Sequence, residues 1–163
     1  MKTAVVYYSM SRNTAFAARE IARELGGADL IEIKPSKNFP DKGVRKFLWG
    51  GKSALMGDEP QLEPYEFNAD EYDLIVIGTP VWASSFTPPI RTFVNENRDA
   101  LRNKKIAAFV CCSGGGADKA LKKLKDFIGI DKYEAKLILI DPTQKPSQDK
   151  IRMMQAFAEY LNK

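Results

Sequence analysis

Three hydroxyl side chains, Ser9, Ser11 and Thr14, crowd into "YYSMSRNT" (residues 7–14), where an apolar run gives way to an amphipathic segment. Backbone amides from Met10 to Thr14 would stand at the start of the helix that this segment predicts. Free N–H groups and the positive end of a helix dipole suit an anion there. A phosphomonoester carries about two negative charges near neutral pH and takes several convergent neutral donors well. The same residues also read as a plain helix cap, with Ser11 or Asn13 as the capping side chain. Taken alone, the stretch leaves both readings open. It contains neither G-x-G-x-x-G nor G-x-x-x-x-G-K-[ST], so no dinucleotide fingerprint and no P-loop is present.

Two further stretches have the composition of ligand loops. "GTPVWASSFTPPIRTF" (78–93) sets Trp82 among small and hydroxylic residues, and "CSGGGAD" (112–118) sets three glycines after a cysteine pair. Trp82 offers a flat face for stacking, or else packs under the next helix. Gly114 to Gly116 permit close backbone approach to a ligand, or form only a flexible turn. Trp49, in "FLWGGKSALMG", is a second aromatic that reads equally well as a packing anchor. Cys111 and Cys112 are adjacent, and joining them would need a strained vicinal ring. They read as small apolar residues at a strand end, since thiol reactivity depends on surroundings. The lysine face of "KALKKLKD" (119–126) reads as the solvated side of a helix or as a docking patch for an acidic partner.

The elements that must position these loops alternate regularly. Apolar runs at 3–8, 29–34, 72–78, 104–113 and 135–141 predict strands. Between and after them, residues 14–27, 88–101, 117–129 and 147–163 carry helical periodicity, with 40–57 as an irregular helical stretch interrupted by Gly50 and Gly51. Pro88 and Pro89 fit a first helical turn, and Ser147 fits a cap. Five strands alternating with five helical segments imply βαβ units, a parallel sheet and helices on both faces. In such a sheet ligands bind outside the carboxyl ends of the strands, at the point where strand order reverses. The three loops above follow strands one, three and four.

Composition narrows the chemistry. The 163 residues suit one domain, 1–163, with no linker or repeat. There are no histidines, which excludes a histidine base and a histidine metal site. Twenty-five Lys and Arg against 21 Asp and Glu give a net charge of +4, scattered along the chain, which argues against a nucleic-acid arm. No apolar run reaches the roughly 18 residues a membrane span needs, and the N-terminus shows no cleavage site. A cytoplasmic protein with no metal site and no assigned catalytic residue is the expectation.

With these motifs in place, the chain resembles the flavodoxin-like FMN proteins, in the short-chain flavodoxin and flavodoxin-like reductase branch. Their first loop has a hydroxyl-x-hydroxyl-x-x-Thr pattern, matched by Ser9, Ser11 and Thr14, and "GTPVWASSFTPPIRTF" and "SGGGAD" resemble their second and third FMN loops. The similarity runs over essentially the whole chain. It implies a doubly wound five-stranded parallel sheet of order 2-1-3-4-5 with FMN as cofactor. It further implies that Ser9, Ser11, Arg12, Asn13 and Thr14 hold the phosphate. Pro80, Val81, Trp82, Ala83 and Ser84 would line the isoalloxazine, with Ser113, Gly114, Gly115 and Gly116 closing the other side. Arg12 departs from the uncharged small residue common at its position. "PVWASS" also lacks the glycine after Trp82 that dedicated one-electron flavodoxins use, and the chain is mildly basic where electron carriers tend to be acidic.

The resemblance therefore implies one of two functions. The first is an electron carrier shuttling between redox partner proteins. The second is an NAD(P)H-dependent FMN reductase acting on quinones or similar acceptors, with residues 36–64 covering the ring. A response-regulator scaffold of the same architecture would need an aspartate after the third strand, where "GTPVW" stands, and an acidic pair after the first.

Overall fold

The computed structural model of the chain describes residues 1–37 and 43–163, without the side chains of 43–48. Residues 38–42, which include the start of the predicted 40–57 helix, lie outside the described residues. Five strands, β1 (Thr3–Tyr7), β2 (Asp29–Glu32), β3 (Leu74–Pro80), β4 (Lys105–Cys112) and β5 (Lys136–Ile140), form one parallel sheet in the order β2-β1-β3-β4-β5. Five helices accompany them: α1 (Asn13–Glu24), α2 (Gly43–Met56), α3 (Pro88–Leu101), α4 (Ala117–Ile128) and α5 (Gln148–Leu161). This is the doubly wound, flavodoxin-like order expected from the sequence. A 3-10 turn at Ala69–Glu71 leads into β3 and moves that strand's start past the predicted residue 72.

The alternation of side chains along each strand divides the core in two. Val5, Tyr7, Val76, Phe109 and Cys111 face α1 and α5, packing on Ala17, Ala18, Ile21, Met154 and Phe157. Ala4, Val6, Ile75, Ile77, Val110 and Cys112 face α3 and α4, packing on Ile90, Phe93, Leu121 and Leu124. Both faces of β1, β3 and β4 are thus covered, which explains why these strands read as continuous apolar runs. After β2 the chain crosses back over β1 to build β3 on its other side. The strand order reverses there, and the carboxyl ends of β1, β3 and β4 open onto one edge.

Two glycine positions are set by close packing. Gly78 pairs across the sheet with Phe109, and a Cβ at Gly78 would lie 2.2 Å from Phe109 Cζ. Gly50 lies inside α2 rather than interrupting it, contrary to the sequence expectation, and a Cβ there would stand 3.1 Å from the Trp82 ring. Glycine costs a helix interior about 1 kcal/mol relative to alanine. At Gly50 that cost lets the helix backbone lie directly on the indole. Among the described residues, no helix is long and apolar enough to cross a membrane.

Candidate functional site

At the sheet edge formed by β1, β3 and β4, a cleft of about 190 Å³ is lined by residues from five segments of the chain. Ser11, Asn13 and Thr14 come from the first loop, Pro80 to Ala83 from the second, and Cys111, Cys112 and Ser113 from the end of β4. Among the described residues, Gly51 of α2 and Gln144 of the β5–α5 loop also line it, and sequence reasoning missed both. None of these lining side chains is an acid, a base or a guanidinium.

The first loop separates its residues into distinct roles. Arg12 adopts a left-handed conformation at φ 69°, and its carbonyl accepts from the Phe16 amide at 2.8 Å, starting α1. Its side chain is exposed and lies outside the cleft lining. Ser9 also lies outside it, because Oγ accepts from the Ala15 amide at 3.0 Å and serves the helix. Asn13 does not cap the helix. Its Oδ1 accepts from both the amide (3.0 Å) and the hydroxyl of Thr143, and its Nδ2 donates to Gln144 Oε1 at 2.9 Å.

Thr14 differs from all of these. Its Oγ1 is buried and has no hydrogen-bond partner among the described residues, an arrangement that costs about 1–3 kcal/mol unless something else satisfies it. No acid stands in the first turn of α1, so no carboxylate competes for that turn's free amides. A buried hydroxyl without a partner, beside a helix N-terminus and on the wall of one cleft, has the donor chemistry that suits an anion. Ser11, exposed at the mouth, adds a second hydroxyl.

The second loop forms the flat wall. The Trp82 and Ser85 backbones exchange two hydrogen bonds of 2.9 Å around Ala83 (φ 49°) and Ser84 (φ 55°). Two successive left-handed residues make the tight reversal that asparagine and glycine usually supply. Here alanine and serine hold it, at a strain of about 1–2 kcal/mol per residue. The turn is anchored below by Thr79 Oγ1, which accepts from the Thr87 amide at 3.1 Å in a fully buried pair. Trp82 itself is fixed by Gly50 against its ring and by the edge of Tyr8, with ring centroids 5.8 Å apart and planes at 86°. Trp49 is 61 % exposed and is not part of the cleft.

The third loop closes against the second. Gly116 caps α4 at φ 92°, and a Cβ on it would lie 2.5 Å from Ser84 Oγ, so these two residues interlock behind the cleft. Gly114 and Gly115 have open space where a side chain would be. Ser113 donates to Asp141 Oδ1 at 2.7 Å.

Beneath these loops, Cys111 and Cys112 point to opposite faces of the sheet and are both free. Burial pushes the Cys111 thiol up to about 12, against a smaller opposing effect of the nearby Thr14 hydroxyl. Burial also raises Cys112, which the Gly114 amide partly offsets. Both are therefore neutral thiols at physiological pH and form a soft, uncharged floor. Among the described residues no cluster of metal-ligating side chains occurs.

Comparison with known proteins follows the same lines. A family model described as flavodoxin matches residues 2–152. Comparison with curated proteins gives no significant match. Among solved structures, a flavoprotein from Lactobacillus acidophilus in complex with FMN is 24% identical, with 93% of this chain and 98% of that one covered and a TM-score of 0.72. A candidate flavoprotein from Bacteroides uniformis is 22% identical, with 99% and 98% covered and a TM-score of 0.73. The two-electron reduced flavodoxin of Megasphaera elsdenii is 20% identical, with 97% and 99% covered and a TM-score of 0.57. At these identities the likeness to solved structures establishes the fold.

Proposed function

The chain belongs to the flavodoxin family, and we propose that it binds FMN in the cleft and carries electrons between redox partner proteins in the cytoplasm. The observation that carries this reading is the join of two unlike surfaces in one cleft. An anion site at Ser11, Thr14 and the α1 amides meets a flat wall of Pro80, Val81 and Trp82. A phosphate on a flat, largely apolar ring system matches that pair.

When bound, FMN supplies the redox chemistry, and the protein supplies position and electrostatics. Thr14 Oγ1 and the amides of Asn13 and Thr14 would donate to the phosphate, since the Ala15 amide already serves Ser9 and the Phe16 amide Arg12, with Ser11 closing the outer side. Trp82, held by Gly50 and Tyr8, would offer the ring a flat apolar face and shield it from water. Ser84 and Gly116 hold the second and third loops in register. The cleft is smaller than the roughly 300–1,000 Å³ typical of sites that enclose a ligand. A flavin there would be only partly enclosed by the described residues, which suits electron exchange on contact with another protein.

A second reading, an NAD(P)H-dependent FMN reductase acting on quinones or similar small acceptors, is favoured by one observation. Helix α2 lies against the Trp82 loop through Gly50 and Gly51, so this helix borders the cleft where an acceptor would approach the ring, and it carries exposed Trp49, Leu55 and Met56. Aerobic mixing of the FMN-loaded protein with NADH or NADPH and a quinone separates the two. The carrier reading expects only slow oxidation of the nicotinamide, and rapid turnover would replace it with the reductase.

The third loop provides a further test. A Cβ at Gly114 or Gly115 would meet no atom of the described residues, so alanine at either is expected to leave thermal stability within about 0.5 kcal/mol. Flavin affinity should nonetheless fall about tenfold, because the added methyl occupies the space where the ring approaches the backbone. Unchanged FMN affinity in both variants, measured by fluorescence titration, would mean that the ring does not reach this loop.

A further inference from the structure

The β5–α5 loop, residues 141–147, plays no part in a three-loop site, yet it is tied to both outer loops. Ser113 of the third loop donates to Asp141, and Asn13 of the first loop engages Thr143 and Gln144. Asp141 is buried in a left-handed conformation at φ 42°. Its amide donates to the Cys112 carbonyl at 2.9 Å, and its own carbonyl accepts from the Lys145 amide at 2.8 Å. The turn is therefore a closed, strained unit built onto the end of β4, and strain of this kind persists only where the surroundings hold it.

The hydrogen bonds fix which way Gln144 points its amide. The Thr143 backbone N–H can only donate, so the Asn13 atom that receives it is the oxygen, Oδ1. Asn13 then presents its nitrogen to Gln144, whose oxygen must accept. That leaves Gln144 Nε2, with two N–H donors and no protein partner among the described residues, on the wall of the cleft that also holds Ser11 and Thr14.

Resting on the FMN reading above, we propose that Gln144 contacts the flavin phosphate, making the β5–α5 loop a fourth wall of the site, with Asn13 as the strut that holds it. The geometry assigns Asn13 a positioning role, since both ends of its side chain are already engaged within the protein. It assigns Gln144 the binding role, as an uncharged donor on a residue that lines the cleft together with Ser11 and Thr14. A dianion held by hydroxyls, amides and a carboxamide needs no lysine or arginine, consistent with Arg12 lying outside the lining.

Titration of wild-type, Gln144→Ala and Gln144→Glu protein with FMN and, separately, with riboflavin tests this. Riboflavin shares the ring and lacks the phosphate. Gln144 is exposed, so both variants should fold, with thermal midpoints near that of wild type. Gln144→Ala should weaken FMN binding about tenfold, the loss of one charge-assisted donor, and leave riboflavin affinity unchanged. Gln144→Glu should weaken FMN binding further, because one carboxylate oxygen still accepts from Asn13 while the other faces the phosphate, and again spare riboflavin. Equal FMN affinities in all three proteins would overturn the proposal, as would losses equal for FMN and riboflavin. Wild-type protein that binds no FMN would instead remove the underlying reading, and the fourth wall with it.

Discussion

Replacing Gly78 by alanine is expected to destabilise the fold by about 3 kcal/mol, near the upper end of the range for overpacked cores. The added carbon would lie 2.2 Å from Phe109 Cζ and inside 3 Å of two further ring atoms. Phe109 is fully buried in the layer between the sheet and helices α1 and α5, so its ring has no empty volume to move into. For a chain of this length the thermal midpoint should drop by roughly 10 °C. The cause can be isolated with a second substitution. Phe109→Leu removes ring atoms from the point of collision, so the Gly78→Ala, Phe109→Leu double variant should be more stable than the sum of the single effects predicts. Additive losses in urea denaturation would mean that the Gly78 and Phe109 contact does not set the cost.

Thr14→Val is expected to move stability and ligand affinity in opposite directions. Valine keeps the branched shape and removes a buried hydroxyl that makes no hydrogen bond among the described residues and has only the weakly accepting Cys111 thiol nearby. The ligand-free protein should therefore gain about 1 kcal/mol. Flavin binding should weaken by about 10- to 100-fold, because the orphan hydroxyl is the donor reserved for the phosphate. The sign of the first effect carries the information. A hydroxyl that merely capped α1 would cost stability when removed. A Thr14→Val protein that melts lower than wild type and binds FMN equally well would show that the first loop is a helix cap and nothing more.

The sheet was legible because β1, β3 and β4 are covered on both faces, and so appear in the sequence as uninterrupted apolar runs, while its strand order came only with the resemblance to the flavodoxin-like proteins. The loops around the candidate cleft were legible for a similar reason. Trp82, the Gly114 to Gly116 run and the hydroxyls before α1 are local features that sit at the ends of those strands. Local features do not reveal what a side chain is already bonded to. Ser9, Ser11 and Thr14 look alike in sequence, yet Ser9 serves the Ala15 amide, Ser11 lines the mouth, and only Thr14 is buried without a partner.

The same limit explains the two corrections in α2 and the β5–α5 loop. Gly50 and Gly51 have the composition of a helix break, but the contact between Gly50 and Trp82, which are far apart in the chain, makes the helix worth keeping. Asn13 and Gln144 are separated by 131 positions, and no periodicity or spacing in "DPTQKPS" signals that its glutamine reaches the first loop. Such contacts follow from the topology, since α1 and α5 lie side by side on one face of the sheet and bring their preceding loops together.

The account's central claim, an FMN site at the carboxyl ends of β1, β3 and β4, is tested most directly by fluorescence titration of FMN into the flavin-free protein with inorganic phosphate as competitor. The account predicts saturable quenching with one FMN bound per chain, weakened by phosphate and, in parallel, by Thr14→Val. Absence of saturable binding, or binding indifferent to both phosphate and Thr14→Val, would contradict it.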